Sequence, residues 1–125
     1  MQTNCYCCSG KNFDDCCEPL LTGKAQPETA KALMQSRHTA YVLHDADYLI
    51  ASTAKATRKF HDKTAILNWA KQNKWTKLEI IFASEDVVEF KAYYFDRFSQ
   101  LQMHHEKSQF VKENNNWTYL DFANS

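Results

Sequence analysis

Glycine and proline are scarce in this sequence, with two of each in 125 residues. So little glycine leaves no glycine-rich loop to cradle a phosphate, and no low-complexity tract or internal repeat breaks the chain. Net charge is missing as well, because fifteen basic and fifteen acidic residues cancel. That removes the simplest argument for a nucleic-acid partner, an overall positive field. No stretch approaches the roughly 18 consecutive apolar residues of a membrane span, and the opening Met1-Gln2-Thr3-Asn4 has no apolar run of the secretory kind. The expectation is a cytoplasmic protein without a membrane partner. Cysteine, finally, is absent from every position after Cys17.

All five cysteines therefore fall in Cys5-Tyr6-Cys7-Cys8-Ser9-Gly10-Lys11-Asn12-Phe13-Asp14-Asp15-Cys16-Cys17. The spacing is Cys-x-Cys, eight residues, then Cys-Cys, two close pairs of soft ligands that a short turn can bring together. In a reducing compartment such a cluster reads as a metal site or as redox thiols rather than as a disulfide framework, and an odd count argues against closed disulfides. Copper(I) and iron–sulfur clusters also take thiolates, but the compact spacing favours tetrahedral zinc.

The rest of the chain has the length and the 44% hydrophobic content of one core. Glu18 to Pro27 holds both prolines and one of the two glycines and reads as a linker. The sequence accordingly divides into residues 1–26, a metal-binding element with its linker, and 27–125, the main domain. Pro27 and Glu28 suit a helical first turn, and Ala30, Leu33, Met34, Arg37 and Tyr41 then recur at spacings of three and four as far as His44. A short helix over Asp47–Ser52 and another from Asp62, a candidate N-cap, to Asn73 follow. Lys77–Ala83, Val87–Phe95, Leu101–Lys112 and Trp117–Phe122 are rich in β-branched and aromatic residues and predict four largely antiparallel strands. Helices followed by a meander make an α+β fold, with the helices on one face of a curved sheet.

Alternation places Val88, Phe90, Ala92 and Tyr94 toward the helices, and Glu106 inward if Phe110 is inward. A bulge would reverse that phase and bring Met103, His105 and Val111 inward instead. Arg37 in an apolar stripe and an inward Glu106 are candidates for a charged pair lining a pocket, with Tyr41 beside them. His104 and His105 are neighbours on a strand, point to opposite faces and cannot readily chelate one ion. His105 facing a pocket near Asp45 or Tyr41 would be a general base without a nucleophile to serve. Lys55, Arg58, Lys59, Lys63, Lys71, Lys74 and Lys77 concentrate positive charge in the middle of the chain. They read as a solvated face, or as a patch for phosphate-level contact with nucleic acid.

Cys5 to Cys17 resembles the SEC-C motif, a small zinc-binding element found at the C-terminus of the SecA translocation ATPase. Carried over by position, the resemblance implies Cys5, Cys7, Cys16 and Cys17 as ligands of one structural zinc ion. Thr29 to Tyr41, Asp47-Tyr48-Leu49, Val88 to Tyr93, His105 to Phe110 and Trp117 to Asp121 resemble the YchJ family, bacterial proteins of uncharacterised function. In that family a SEC-C motif precedes a cone-shaped domain like nuclear transport factor two. The family usually reads Cys-Pro-Cys-Gly-Ser-Gly-Lys, whereas here Tyr6 replaces the proline and Cys8 the glycine. The reading that follows is a zinc-binding accessory protein that contacts a protein partner through the motif, with no catalytic residue assigned and a homodimer expected from exposed strand edges. The alternative is a small-molecule binder or enzyme that uses a pocket inside the cone.

Overall fold

The computed structural model describes residues 4–122. Met1 to Thr3, on which the reading of the first residues partly rests, lie outside them. Five α-helices precede four strands among these residues: α1 (Glu18–Leu21), α2 (Ala30–Leu43), α3 (Ala46–Ala51), α4 (Lys55–Arg58), α5 (Lys63–Gln72), β1 (Lys74–Ala83), β2 (Val87–Phe95), β3 (Leu101–Glu113) and β4 (Asn116–Phe122). The strands form one antiparallel sheet in the order β1-β2-β3-β4. The α+β architecture expected from the change of hydrophobic period is the one observed.

Helix α2 starts later than Pro27 suggests. The Thr29 hydroxyl accepts the Ala32 N–H at 3.0 Å, so Thr29 is the cap and Pro27 and Glu28 precede the helix. A side-chain oxygen that satisfies an orphan amide fixes the start more firmly than the preset φ of proline. Asp62 caps α5 as its sequence position suggests, accepting the Ala65 N–H at 3.0 Å. At the far end of α2, His44 turns the chain out of the helix with φ 61°.

Ser36, Arg37, His38, Thr39 and Ala40 are consecutive in α2 and all buried. A helix enclosed on every side is the centre of its domain rather than a surface layer. Its Leu33 and Met34 pack against Leu78, Val88, Phe90, Phe110 and Trp117 of the sheet. Its Ser36 hydroxyl meets the Tyr48 hydroxyl of α3 at 2.6 Å, and Thr39 meets the cysteine cluster.

In β2, Val88, Phe90 and Ala92 are buried on the helix side. In β3, Ser108 and Phe110 are buried and Glu106 and His104 share their phase, while Met103 and His105 are exposed. The bulge between Gln109 and Phe110 affects only the pairing with β4; the register with β2 is regular from Val87↔Gln109 to Phe95↔Leu101. The phase of β3 is therefore the one that Phe110 sets.

The outer edge of β4 is covered. Ala54 donates to the Tyr119 carbonyl and Tyr119 to the Ser52 carbonyl, each at 2.8 Å, so the segment after α3 runs along the strand. No helix among the described residues is long and apolar enough to cross a membrane.

Candidate functional site

The cysteine segment folds back on itself. Cys5 donates its backbone N–H to the Lys11 carbonyl at 2.8 Å, and Asn4 and Asn12 form an antiparallel bridge. A 3₁₀ turn over Phe13–Asp15 and the start of α1 then deliver Cys16 and Cys17. The sulfurs of Cys5, Cys7, Cys16 and Cys17 all lie within 4.8 Å of one another. Cys7 and Cys16 are 3.6 Å apart, and Cys16 and Cys17 are 3.9 Å apart. A tetrahedral zinc with bonds of about 2.3 Å has sulfur–sulfur edges of about 3.8 Å, so the donor set fits a closed thiolate centre. Cys5, Cys7 and Cys17 are buried and Cys16 is half-buried.

Electrostatics divides the cluster, lowering one sulfur and raising two, with burial the first cause at Cys16. The pKa of Cys7 is lowered to about 5, chiefly by the hydrogen bond from Cys17, against the opposing effect of burial. That same bond, followed by burial, raises Cys17. Ser9 lies 3.3 Å from the Cys16 sulfur and also accepts the Lys11 N–H, a polar contact that orients a donor from outside the set. Cys5 touches the Thr39 hydroxyl of α2 at 3.9 Å, which ties the cluster to the main domain.

Cys8 stands apart. Its side chain is exposed, its sulfur is directed at the Tyr6 carbonyl at 3.9 Å, and its φ is 65°. A left-handed backbone costs an ordinary residue about 1–2 kcal/mol, a cost that glycine at this position would avoid. Cys8→Gly is expected to leave the metal content unchanged and to raise stability by up to about 1 kcal/mol. Elemental analysis and a urea titration of the two proteins check this. A lower metal content in the variant would make Cys8 a ligand.

The second site is a cavity of about 350 Å³ between α2 and the inner face of the sheet. Arg37, Tyr41 and Glu106 all line it, as do His38 and Met34 of α2 and Trp75 of β1. His61, Trp69, His104, Tyr119 and Asp121 complete its polar and aromatic rim.

The direct Arg37–Glu106 pair is not formed. The Arg37 Nη1 donates to the Leu49 carbonyl at 3.0 Å, to Ser52 Oγ at 2.7 Å and to Thr53 Oγ1 at 3.3 Å. Its guanidinium carbon lies 4.5 Å from the centre of the Tyr119 ring, and the Tyr119 hydroxyl donates to Glu106 Oε2 at 2.9 Å. Tyr119 thus stands between the two charges. Burial lowers the pKa of Arg37, although a guanidinium keeps its charge.

Burial also pushes Glu106 up, but hydrogen bonds from His104, Ser108 and Tyr119 outweigh it and leave its pKa lowered. His104 Nε2 meets Glu106 Oε1 at 2.8 Å, and Ser108 donates to the other carboxylate oxygen. His105 points the other way and pairs with Glu89 at 2.7 Å, so His104, not His105, faces the cavity. Alternation carried two residues back from Glu106 finds it. His38 and Trp75 were not among the sequence candidates. His38 lies four residues after Met34 and three before Tyr41, a spacing that places it on the same helical side.

Of the basic run, Lys63 pairs with Asp47 at 2.5 Å, and Arg58 donates to the Thr53 carbonyl at 3.0 Å and the Ala51 carbonyl at 3.4 Å. The others lie on α4, α5, β1 and the residues between α4 and α5.

Residues 29–122 match the model of a family described as "YchJ, middle NTF2-like domain". The chain is 39% identical to a UPF0225 protein of Actinobacillus succinogenes, an alignment covering 97% of this chain and 82% of that protein. It is 36% identical to a UPF0225 protein of Geobacter sulfurreducens, covering 97% and 79%. Among solved structures, a SEC-C motif containing protein from Rhodopseudomonas palustris is 35% identical, with a TM-score of 0.92 over 98% of this chain and 99% of that one. A SEC-C motif containing protein from Psychrobacter arcticus is 33% identical, with a TM-score of 0.80 over 97% and 83%.

Proposed function

The chain belongs to the YchJ family, and from that premise we propose that it is an accessory protein whose four-cysteine centre holds one structural zinc ion and presents a surface to a protein partner. The observation that carries this reading is the convergence of four cysteine sulfurs within 4.8 Å. Four protein sulfurs complete a tetrahedron and leave no position for a substrate or an activated water. The metal serves by holding the backbone: it fixes the loop from Tyr6 to Lys11, where Tyr6, Cys8 and Lys11 are exposed. An exposed aromatic ring on a rigid loop is a natural anchor for a partner.

Elemental analysis of protein purified without chelator is expected to find one zinc per chain. Capture from the native cell then tests the surface: Tyr6→Ala should keep the zinc and lose at least tenfold of whatever partner the wild type retains. A partner recovered equally by the two proteins, or a preparation free of zinc, would remove the corresponding half of the proposal.

A second reading is favoured by a separate observation. The cone is not filled: a cavity walled by aromatic rings and convergent polar groups lies under α2, the arrangement expected of a small-molecule site.

A further inference from the structure

Arg37 is a buried cation without a counter-ion. The residue is 6% exposed, and among the described residues it forms no ion pair. A buried charge is costly unless it is paired. Glu106 does not serve as its partner: Tyr119 stands between them, and the carboxylate is already engaged by His104, Ser108 and Tyr119.

The hydrogen bonds of Arg37 are also one-sided. Its three acceptors, on Leu49, Ser52 and Thr53, all meet Nη1. They are uncharged, and they leave the N–H groups of Nε and Nη2 without an acceptor among the described residues. Those two nitrogens are not sealed. The unpartnered side-chain atoms closed to water among these residues are His38 Nε2 and Trp75 Nε1, and no atom of Arg37 joins them. Nε and Nη2 are therefore within reach of a water-sized group, and the opening that Arg37 lines is the cavity under α2.

Nε and Nη2 share one edge of the guanidinium, and each turns an N–H to the same side. That edge matches the two oxygens of a carboxylate, a bidentate pairing that arginine makes and lysine cannot. The rest of the cavity defines the acid. Tyr41, Trp69, Trp75 and Phe90 supply aromatic wall, and a volume of about 350 Å³ admits one or two rings. Glu106 and Asp121 line the same space, so a second negative charge on the ligand would be repelled. A phosphate monoester, nearly doubly charged at neutral pH, is disfavoured for that reason.

We propose that the cavity binds a small aromatic monocarboxylate, its carboxylate held side-on by Nε and Nη2 of Arg37 and its ring against the aromatic wall. The inference rests on reading the cone cavity as a small-molecule site and adds the ligand class and the residue that selects it.

Isothermal titration of the full chain with its metal compares each acid with its neutral amide: benzoate with benzamide, and 2-naphthoate with 2-naphthamide. At least one acid is expected to bind about tenfold more tightly than its amide, the worth of a charge-assisted pair over a neutral one. Arg37→Lys keeps the charge and removes the fork, so the preference should fall to about threefold or less. An unchanged preference in the folded variant would overturn Arg37 as the anchor. Because Arg37 also braces the turn after α3, a circular dichroism spectrum first shows whether the variant is folded. If it is not, nuclear Overhauser contacts in the wild type place the acid independently, and its ring protons should meet Trp75, Tyr41 or Phe90. Equal binding of acid and amide against those rings would overturn the carboxylate class and leave the small-molecule reading standing. An acid bound away from them, or no binding by any of the four probes, would overturn both.

Discussion

Replacing Cys16 and Cys17 together by serine is expected to abolish the zinc binding proposed for the cluster and to release the segment from Cys5 to Leu21, while the sheet stays folded. The expectation follows from how little else holds that segment. Its own buried cluster consists of Cys5, Cys7 and Cys17, with Phe13 and Cys16 packed against it, and is separate from the core between α2 and the sheet. Five side chains of that size bury too little apolar surface to offset the ordering of some seventeen residues, at about 1–2 kcal/mol of backbone entropy each. Structural zinc centres supply about 10–16 kcal/mol in small peptides, enough to decide whether such an element folds. Without two of its thiolates the cluster loses most of that, and the contacts of Cys5 and Cys17 with the Thr39 hydroxyl do not replace it. Amide hydrogen exchange read residue by residue is the measurement. Loss of protection confined to residues before Thr22, with β2 and β3 unchanged, is the expected pattern. Retained protection in the metal-free variant would show that the element folds without the ion, and global unfolding would show that the two cores are one cooperative unit.

The same separation explains why the cysteine cluster was so legible in the sequence. Metal ligation by Cys-x-Cys and Cys-Cys is a local property: turns of fewer than ten residues bring the pairs together, so spacing carries the information. The strands were legible for a related reason, since alternation in Val88-Glu89-Phe90-Lys91-Ala92 reports one buried face directly. The start of α2 was misread because two local signals competed, and the hydroxyl cap of Thr29 prevailed over Pro27.

The cavity was legible only in part. Arg37, Tyr41 and Glu106 could be singled out because each is polar in an apolar pattern. Their partners could not. Arg37 finds Leu49, Ser52 and Thr53 across the turn after α3, and Tyr119 is inserted between Arg37 and Glu106 by a strand that pairs on one side with β3 and on the other with residues 52–54. Those are tertiary contacts with no sequence period. His38 escaped notice because burial on every side of α2 erases the amphipathic contrast by which a helical face is recognised.

The burial of His38 makes its own prediction, in the pH dependence of stability. The side chain is 2% exposed, and burial lowers its pKa from 6.5 to about 4. The groups that line the same cavity and carry or can carry charge are Arg37 and Tyr41 on its own helix, His61 before α5, His104 and Glu106 of β3, and Tyr119 and Asp121 of β4. Folded, the imidazole is neutral at neutral pH; unfolded, it takes up a proton near pH 6.5. The unfolded state therefore binds more protons between about pH 6.5 and 4, and stability falls as pH falls through that window. Above the window His38 contributes no pH dependence, and below it the loss is complete at about 3 kcal/mol, from 1.36 kcal/mol per unit of pKa. Glu106 acts in a lower range: its lowered pKa stabilises the fold above its unfolded value of 4.5, and that contribution is lost only below it. The cysteine cluster also responds to acid, but equally in a variant that keeps its ligands. The decisive comparison is thus wild type against His38→Phe, which fills the site with a ring that does not titrate. From pH 7 to pH 4.5 the urea midpoint of the wild type should fall relative to that of the variant, the wild type losing about 2–3 kcal/mol that the variant retains. Parallel curves, offset by a constant amount at every pH, would mean that the folded protein admits the proton at His38 without cost, and the cavity wall would then be far more polar than its lining of aromatic rings implies.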